Sequence, residues 1–205
     1  MKANPMRTVF RQAVDYYLFL VDQVPVDGWE SAGLGVWTVR DLVGHTSRAM
    51  TTLERYCNQP GEQVEVETPV SYFLRAMESI ANPEDVAERR RQSGQDLGPD
   101  PAETVREIAG RVLVGLEQVS DDLVLALPVG GMRLIDYLPT RIFELVIHGL
   151  DLASVIGVAN EPPRAPTEVT LHLLSDLALE SGKPADLILA VTGRRSLPER
   201  FNLVG

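Results

Sequence analysis

Three residues of this 205-residue chain have the types and spacing of a metal site. Glu144 and His148 stand four apart in the run Glu-Leu-Val-Ile-His, so on a helix they project side by side, one turn apart. His45 is the other histidine set inside a strong helical pattern. Two imidazoles and one carboxylate are the ligand set of an open, catalytic-type divalent metal site with a free coordination position. That chemistry requires the three to meet in space. The rival reading is a solvated polar face, because Arg141, Glu144, His148 and Asp151 fall at i, i+3, i+7 and i+10. Two features weigh for the metal. The rest of the helix is apolar (Ile142, Phe143, Leu145, Val146, Ile147, Leu150, Leu152), and a buried carboxylate beside an imidazole needs a compensating charge or metal. His45 lies one turn from both Leu42 and Ala49, at the edge of an apolar face. Alone it reads as a core histidine; beside a Glu/His pair it supplies the missing ligand.

The elements that must position these residues are mostly helical. Periodicity predicts long helices over Pro5–Val24, Thr38–Cys57, Pro101–Ser120, Tyr137–Ile156 and Thr167–Gly182, with shorter ones over Ser71–Ile80 and Pro83–Gln95. Thr38 and Asp41 form a short capping box at the start of the His45 helix, and Thr167 is expected as the N-cap of the last. Two apolar runs between Leu123 and Leu134 flank Gly130-Gly131 and predict a small β-hairpin, with Pro128 making it an edge or exposed ribbon. Asp186–Thr192 reads as a short strand. The expected class is therefore mainly all-α: a four-helix bundle with extra short helices, a small hairpin and a short C-terminal strand and tail. Residues 1–182 are expected to form the bundle and residues 183–205 a short extension packed on it.

Composition limits the function classes. Hydrophobic residues make up 44% of the chain, enough for a real core. The net charge of −10 argues against nucleic acid and against an anionic membrane surface. The longest apolar stretch, Leu145–Ile156, is broken by His148, Gly149, Asp151 and Ser154 and is no membrane span. A single cysteine, Cys57, allows no internal disulfide and reads as a structural thiol. No signal-peptide pattern opens the chain, so the cytoplasm is the expected compartment. A homodimer is left open.

Two segments resemble one family. Trp37-Thr38-Val39-Arg40-Asp41-Leu42-Val43-Gly44-His45 is similar to the W-T-x-x-D-L-x-x-H segment of the mycothiol-dependent maleylpyruvate isomerase N-terminal domain, a member of the DinB/YfiT-like bundle superfamily. Arg141 to Ala153 is similar to that family's R-x-x-E-x-x-x-H-x-x-D-L-A segment. The resemblance runs from about residue 5 to 182. It implies a DinB-like four-helix bundle with a zinc triad on His45, Glu144 and His148, held between the second and fourth long helices. It also implies mycothiol as thiol cofactor, whose sulfur approaches the metal and is deprotonated by it. Thiolate addition to an activated alkene, bond rotation and elimination would give cis–trans isomerisation; the same addition could lead to S-transfer or ring opening. The partners implied are thus a small-molecule thiol and an electrophilic substrate. Many relatives carry a further α/β domain after the bundle, where this chain has residues 183–205.

Other residues admit two readings each. Arg89, Arg90 and Arg91 form a basic cluster that either pairs with Glu84, Asp85 and Glu88 or clamps a carboxylate of the bound thiol. Arg141 either orients Glu144, binds substrate or makes a salt bridge. Asp151 could hold an imidazole N–H of His148 or pair with an arginine. His172 has no partner spacing and is not expected to be a ligand; Trp29 and Trp37 are expected to pack. The ligand set suits nickel or iron as well as zinc. Two rival functions stand beside the thiol enzyme: a non-catalytic metal-binding or regulatory bundle, and a metal-water hydrolase.

Overall fold

A computed structural model describes residues 5–78, 92–159, 161–199 and 201–204. The Arg89–Arg91 cluster lies outside them, as does most of the predicted Pro83–Gln95 helix; residues 92–95 are helical. The elements are α1 (Pro5–Val21), α2 (Val39–Cys57), α3 (Pro69–Glu78), α4 (Pro101–Leu116), β1 (Val124–Leu127), β2 (Gly130–Arg133), α5 (Leu134–Ile156), α6 (Arg164–Glu180) and α7 (Pro184–Val191). The fold is mainly α, with one two-stranded sheet among the described residues.

Helices α1, α2, α4 and α5 form the bundle. Helix α5 packs on α1 and α2, and α4 closes the ring between them. Their apolar faces, including Phe10, Tyr17, Leu20, Leu42, Met50, Leu53, Val105, Leu138, Ile142 and Leu145, form one core. Tyr17 crosses it, fully buried, and donates its hydroxyl to the Val43 carbonyl at 2.8 Å. Arg7 locks the far end of α4 by donating to the carbonyls of Leu116 and Val119 while pairing with Asp121 at 2.6 Å. These bonds satisfy helix C-terminal carbonyls that have no intrahelical partner. A second, smaller core joins α3, α5 and α6 through Phe73, Phe143, Leu173 and Leu177, and the returning tail adds Leu203.

Several expectations need correction. Asp186–Thr192 is not a strand: α7 covers it, with Pro184 at the start of the helix. A short apolar run has no decisive period, and Pro at the first helical position with Ala and Leu following favours a helix. The hairpin turns at Pro128-Val129, and Gly130-Gly131 begin β2 in register with Leu127 and Ala126. Pro128 fits there because a turn position needs no N–H. The ribbon is not exposed either. Leu125 and Met132 are fully buried. Its flanks are sealed by the 59–66 loop through Ala126 N–H to Gln59 O (3.0 Å) and Val66 N–H to Gly131 O (3.0 Å). Helix α6 starts at Arg164, so Thr167 lies within its first turn and bonds back to the Pro163 carbonyl at 3.0 Å. Helix α5 starts at Leu134 and carries Pro139 inside it, just past the first turn.

Candidate metal centre

The register of His45 is set at the start of α2. The Thr38 hydroxyl accepts from Asp41 N–H and the Asp41 carboxylate accepts from Thr38 N–H, both at 3.1 Å. The expected capping box is thus present. The preceding loop is pinned to it by Gly33 N–H to Trp37 O at 2.7 Å. That brings the Trp37 ring to 5.1 Å from the His45 ring, centroid to centroid. One residue before His45, Gly44 lets α2 touch the 92–95 turn; a methyl there would collide with the Ser93–Gly94 backbone.

The other two residues come from the middle of α5. The helix ends cleanly at Gly157, whose φ of 71° is the left-handed value that glycine adopts without strain. Gly149, next to His148, lets the buried Tyr16 ring lie against the helix; a Cβ there would stand 2.6 Å from Tyr16 Cε1. With α1 so close on one side and α2 on the other, the Arg141–Asp151 stripe lies within the packed bundle.

The triad meets. One ligand atom from each of His45, Glu144 and His148 lies within 4.8 Å of the others, and all three side chains are partly buried. Among the described residues they are the only His, Cys, Asp or Glu group gathered in this way. The two imidazoles stand edge to face, centroids 4.9 Å apart. His148 Nε2 lies 3.4 Å from Glu144 Oε2, while its Nδ1 meets Asp151 Oδ2 at 2.9 Å. Asp151 therefore takes the outer ring nitrogen, leaving Nε2 turned towards Glu144. A carboxylate on the far nitrogen of a ligating histidine is the arrangement that fixes its tautomer and ring orientation. This donor set fits a divalent ion: two nitrogens, one carboxylate and a fixed imidazole.

The electrostatics agree with the geometry. Burial works against charge on both Glu144 and His148, and their partners override it. Glu144 is held down to about 2 by the hydrogen bond from His148 and by the charges of Arg141, His148 and His45. His148 is pushed up to about 9 by its bonds to Asp151 and Glu144. Without metal, the imidazolium is therefore clamped between two carboxylates. A divalent cation would replace that proton.

Arg141 does not make the salt bridge that is one of its three expected roles. It is 7% exposed, and among the described residues no carboxylate lies within ion-pair distance of it. It donates instead to Thr140 Oγ1 at 3.0 Å and to the Tyr72 hydroxyl at 3.3 Å, and lies 4.6 Å over the Tyr137 ring. Sequence reasoning missed Tyr72, which reaches α5 from α3 across 69 positions with no local signal. Trp37 packs against the main core, as expected, and its ring also meets His45. His172 is exposed on α6, away from the triad. No helix among the described residues is long and apolar enough to cross a membrane.

Comparison with known proteins gives one match. The model of the mycothiol maleylpyruvate isomerase N-terminal domain family matches residues 11–153. No curated protein and no solved structure matches the chain. The matched span exceeds half the chain and contains most of α1, all of α2 and most of α5, with all three residues of the triad. The chain belongs to the mycothiol maleylpyruvate isomerase N-terminal domain family.

Proposed function

We propose that this protein is a metal-dependent, mycothiol-dependent transferase or isomerase that adds the thiol to an electrophilic small molecule. The observation that carries this reading is the meeting of His45, Glu144 and His148 from two helices, within 4.8 Å, inside a family named for mycothiol. His45 and His148 supply nitrogen, Glu144 supplies oxygen and negative charge, and zinc is the first candidate ion, with nickel or iron also suited. Such an ion, when bound, lowers the pKa of a thiol or water in its open position and so supplies a nucleophile at neutral pH.

The remaining work falls to the protein. Asp151 holds the Nδ1–H of His148 and keeps Nε2 directed inward. Arg141, held by Tyr72 and Tyr137, offsets the charge of Glu144 one turn away. Addition of the thiol to an activated double bond, rotation and elimination would return the isomer and the thiol; displacement of a leaving group would give an S-conjugate. The test is turnover of an activated alkene and of an alkyl halide by metal-loaded protein, with and without mycothiol. Product that requires both metal and mycothiol, and disappears in His45→Ala, is expected. Turnover without any thiol would instead identify a metal-water hydrolase, and no turnover with full metal occupancy a non-catalytic bundle.

A further inference from the structure

Arg141 is a buried cation whose charge is only partly answered. Burying a cation is costly unless opposite charge and hydrogen bonds compensate it. Among the described residues no carboxylate stands within ion-pair distance of Arg141, which is 7% exposed. Nε donates to Thr140 Oγ1 and Nη2 to the Tyr72 hydroxyl. The guanidinium carbon lies 4.6 Å from the Tyr137 ring centre and 5.6 Å from that of Tyr72. Those contacts fix the group while leaving most of its N–H donors unspent. Nη1 makes no hydrogen bond to the described residues, and it is not sealed from solvent.

The unspent donors belong to the same stripe as the metal centre. Tyr137, Arg141, Glu144 and His148 follow one another at helical spacing along α5. The Glu144 and His148 side chains are 25% and 17% exposed, so the stripe borders open space. Arg141 and Glu144 act on each other electrostatically without touching. When Glu144 ligates a cation its charge is spent there, and Arg141 loses that counter-charge. The Tyr72 hydroxyl accepts from Nη2 and keeps its own hydrogen to donate. A fixed guanidinium with open N–H groups, beside a phenol donor, matches the fork of a carboxylate.

We propose that Arg141, with Tyr72, is an anion subsite of this centre and binds a carboxylate of the small-molecule substrate. The substrate class is then an electrophile that carries a carboxylate beside its activated bond. This assignment rests on the reading of His45, Glu144 and His148 as the reaction centre. An Arg141 that only tied α3 to α5 would give no preference for a charged ligand.

The test uses the full chain, zinc-loaded and metal-free, with crotonate and crotonamide, an anionic and a neutral activated alkene of equal size. Binding is followed by amide and guanidinium chemical shifts. Zinc-loaded protein should bind crotonate about ten- to hundredfold more tightly than crotonamide, as a charge-assisted bidentate contact does. The shifts should centre on Arg141, α3 and α5. Metal-free protein should show a smaller preference, because Glu144 then opposes the anion. Arg141→Met should remove the preference by weakening crotonate. Arg141→Lys, which keeps the charge but loses the fork, should retain part of it, and Tyr72→Phe should weaken crotonate by a smaller factor. These two variants carry the test if circular dichroism shows Arg141→Met unfolded. Equal binding of both probes to the wild type would overturn the proposal. So would a crotonate preference that survives Arg141→Met, which would place the carboxylate on the metal ion alone. An Arg141-dependent preference in a chain that takes up no zinc would sink the metal centre and leave the anion subsite standing. Zinc- and thiol-dependent turnover with no crotonate preference would do the reverse.

Discussion

Along α5, Leu138, Ile142, Leu145 and Leu152 are wholly buried in the main core. One face round the same helix, Arg141 is buried and Glu144, His148 and Asp151 are only partly buried, with side-chain exposures of 17%, 25% and 29% for His148, Glu144 and Asp151. The first face stabilises the bundle in proportion to the apolar area it removes from water. The second places four ionisable groups where charge is costly unless it is compensated. A bundle that needed only stability would carry leucines on both faces. The difference between the faces separates the part of α5 that builds the core from the part that carries the proposed metal ligands.

The largest expected effect separates the two faces by stability. Leu145→Ala should cost about 2–5 kcal/mol in chemical denaturation, because it empties a fully buried position, while leaving metal stoichiometry intact. A cost below about 1 kcal/mol would mean that the apolar face does not carry the core. On the charged face, Asp151→Asn should lower metal affinity about 10–100-fold in a chelator competition. An unchanged affinity would remove Asp151 from any role in holding His148.

A further effect is a pH dependence confined to the charged face. His148 is raised to about 9 from 6.5, so its contribution to stability is complete below 6.5 and is lost as pH climbs through 9. Glu144 is lowered to about 2 from 4.5, so its contribution is complete above 4.5 and is lost as pH falls through 2. The metal-free chain should therefore lose stability between pH 6.5 and 9. Because a ligating His148 must give up its proton, metal affinity should rise over that window by up to about tenfold per unit. Chelator titrations at several pH values measure this directly; a flat profile would mean that the clamped imidazolium is not what the ion displaces.

Much of this was legible in the sequence where the signal is local. Thr38 and Asp41 are three residues apart and define the start of α2, which fixes the face on which His45 lies. The Glu144–His148 spacing placed both on one side of α5. What escaped was either ambiguous in period or carried by distant contacts. The apolar run in α7 is too short to separate helix from strand. A Gly-Gly pair suggested the hairpin turn, yet Pro128-Val129 makes it, because the flanking register and not the glycines decides which residues pair. Tyr72 meets Arg141 through the packing of α3 on α5, for which no spacing within either helix gives a hint. The close approach of Gly44 to the 92–95 turn is equally nonlocal.

Metal content bears most directly on the contrast between the faces. The wild-type chain, expressed with added zinc and purified without chelator, should hold one equivalent of divalent metal by elemental analysis. His148→Ala, measured beside it, should hold none while remaining folded by circular dichroism. A wild-type protein free of stoichiometric metal, or a His148→Ala variant that retains it, would contradict the assignment of His45, Glu144 and His148 as a metal centre.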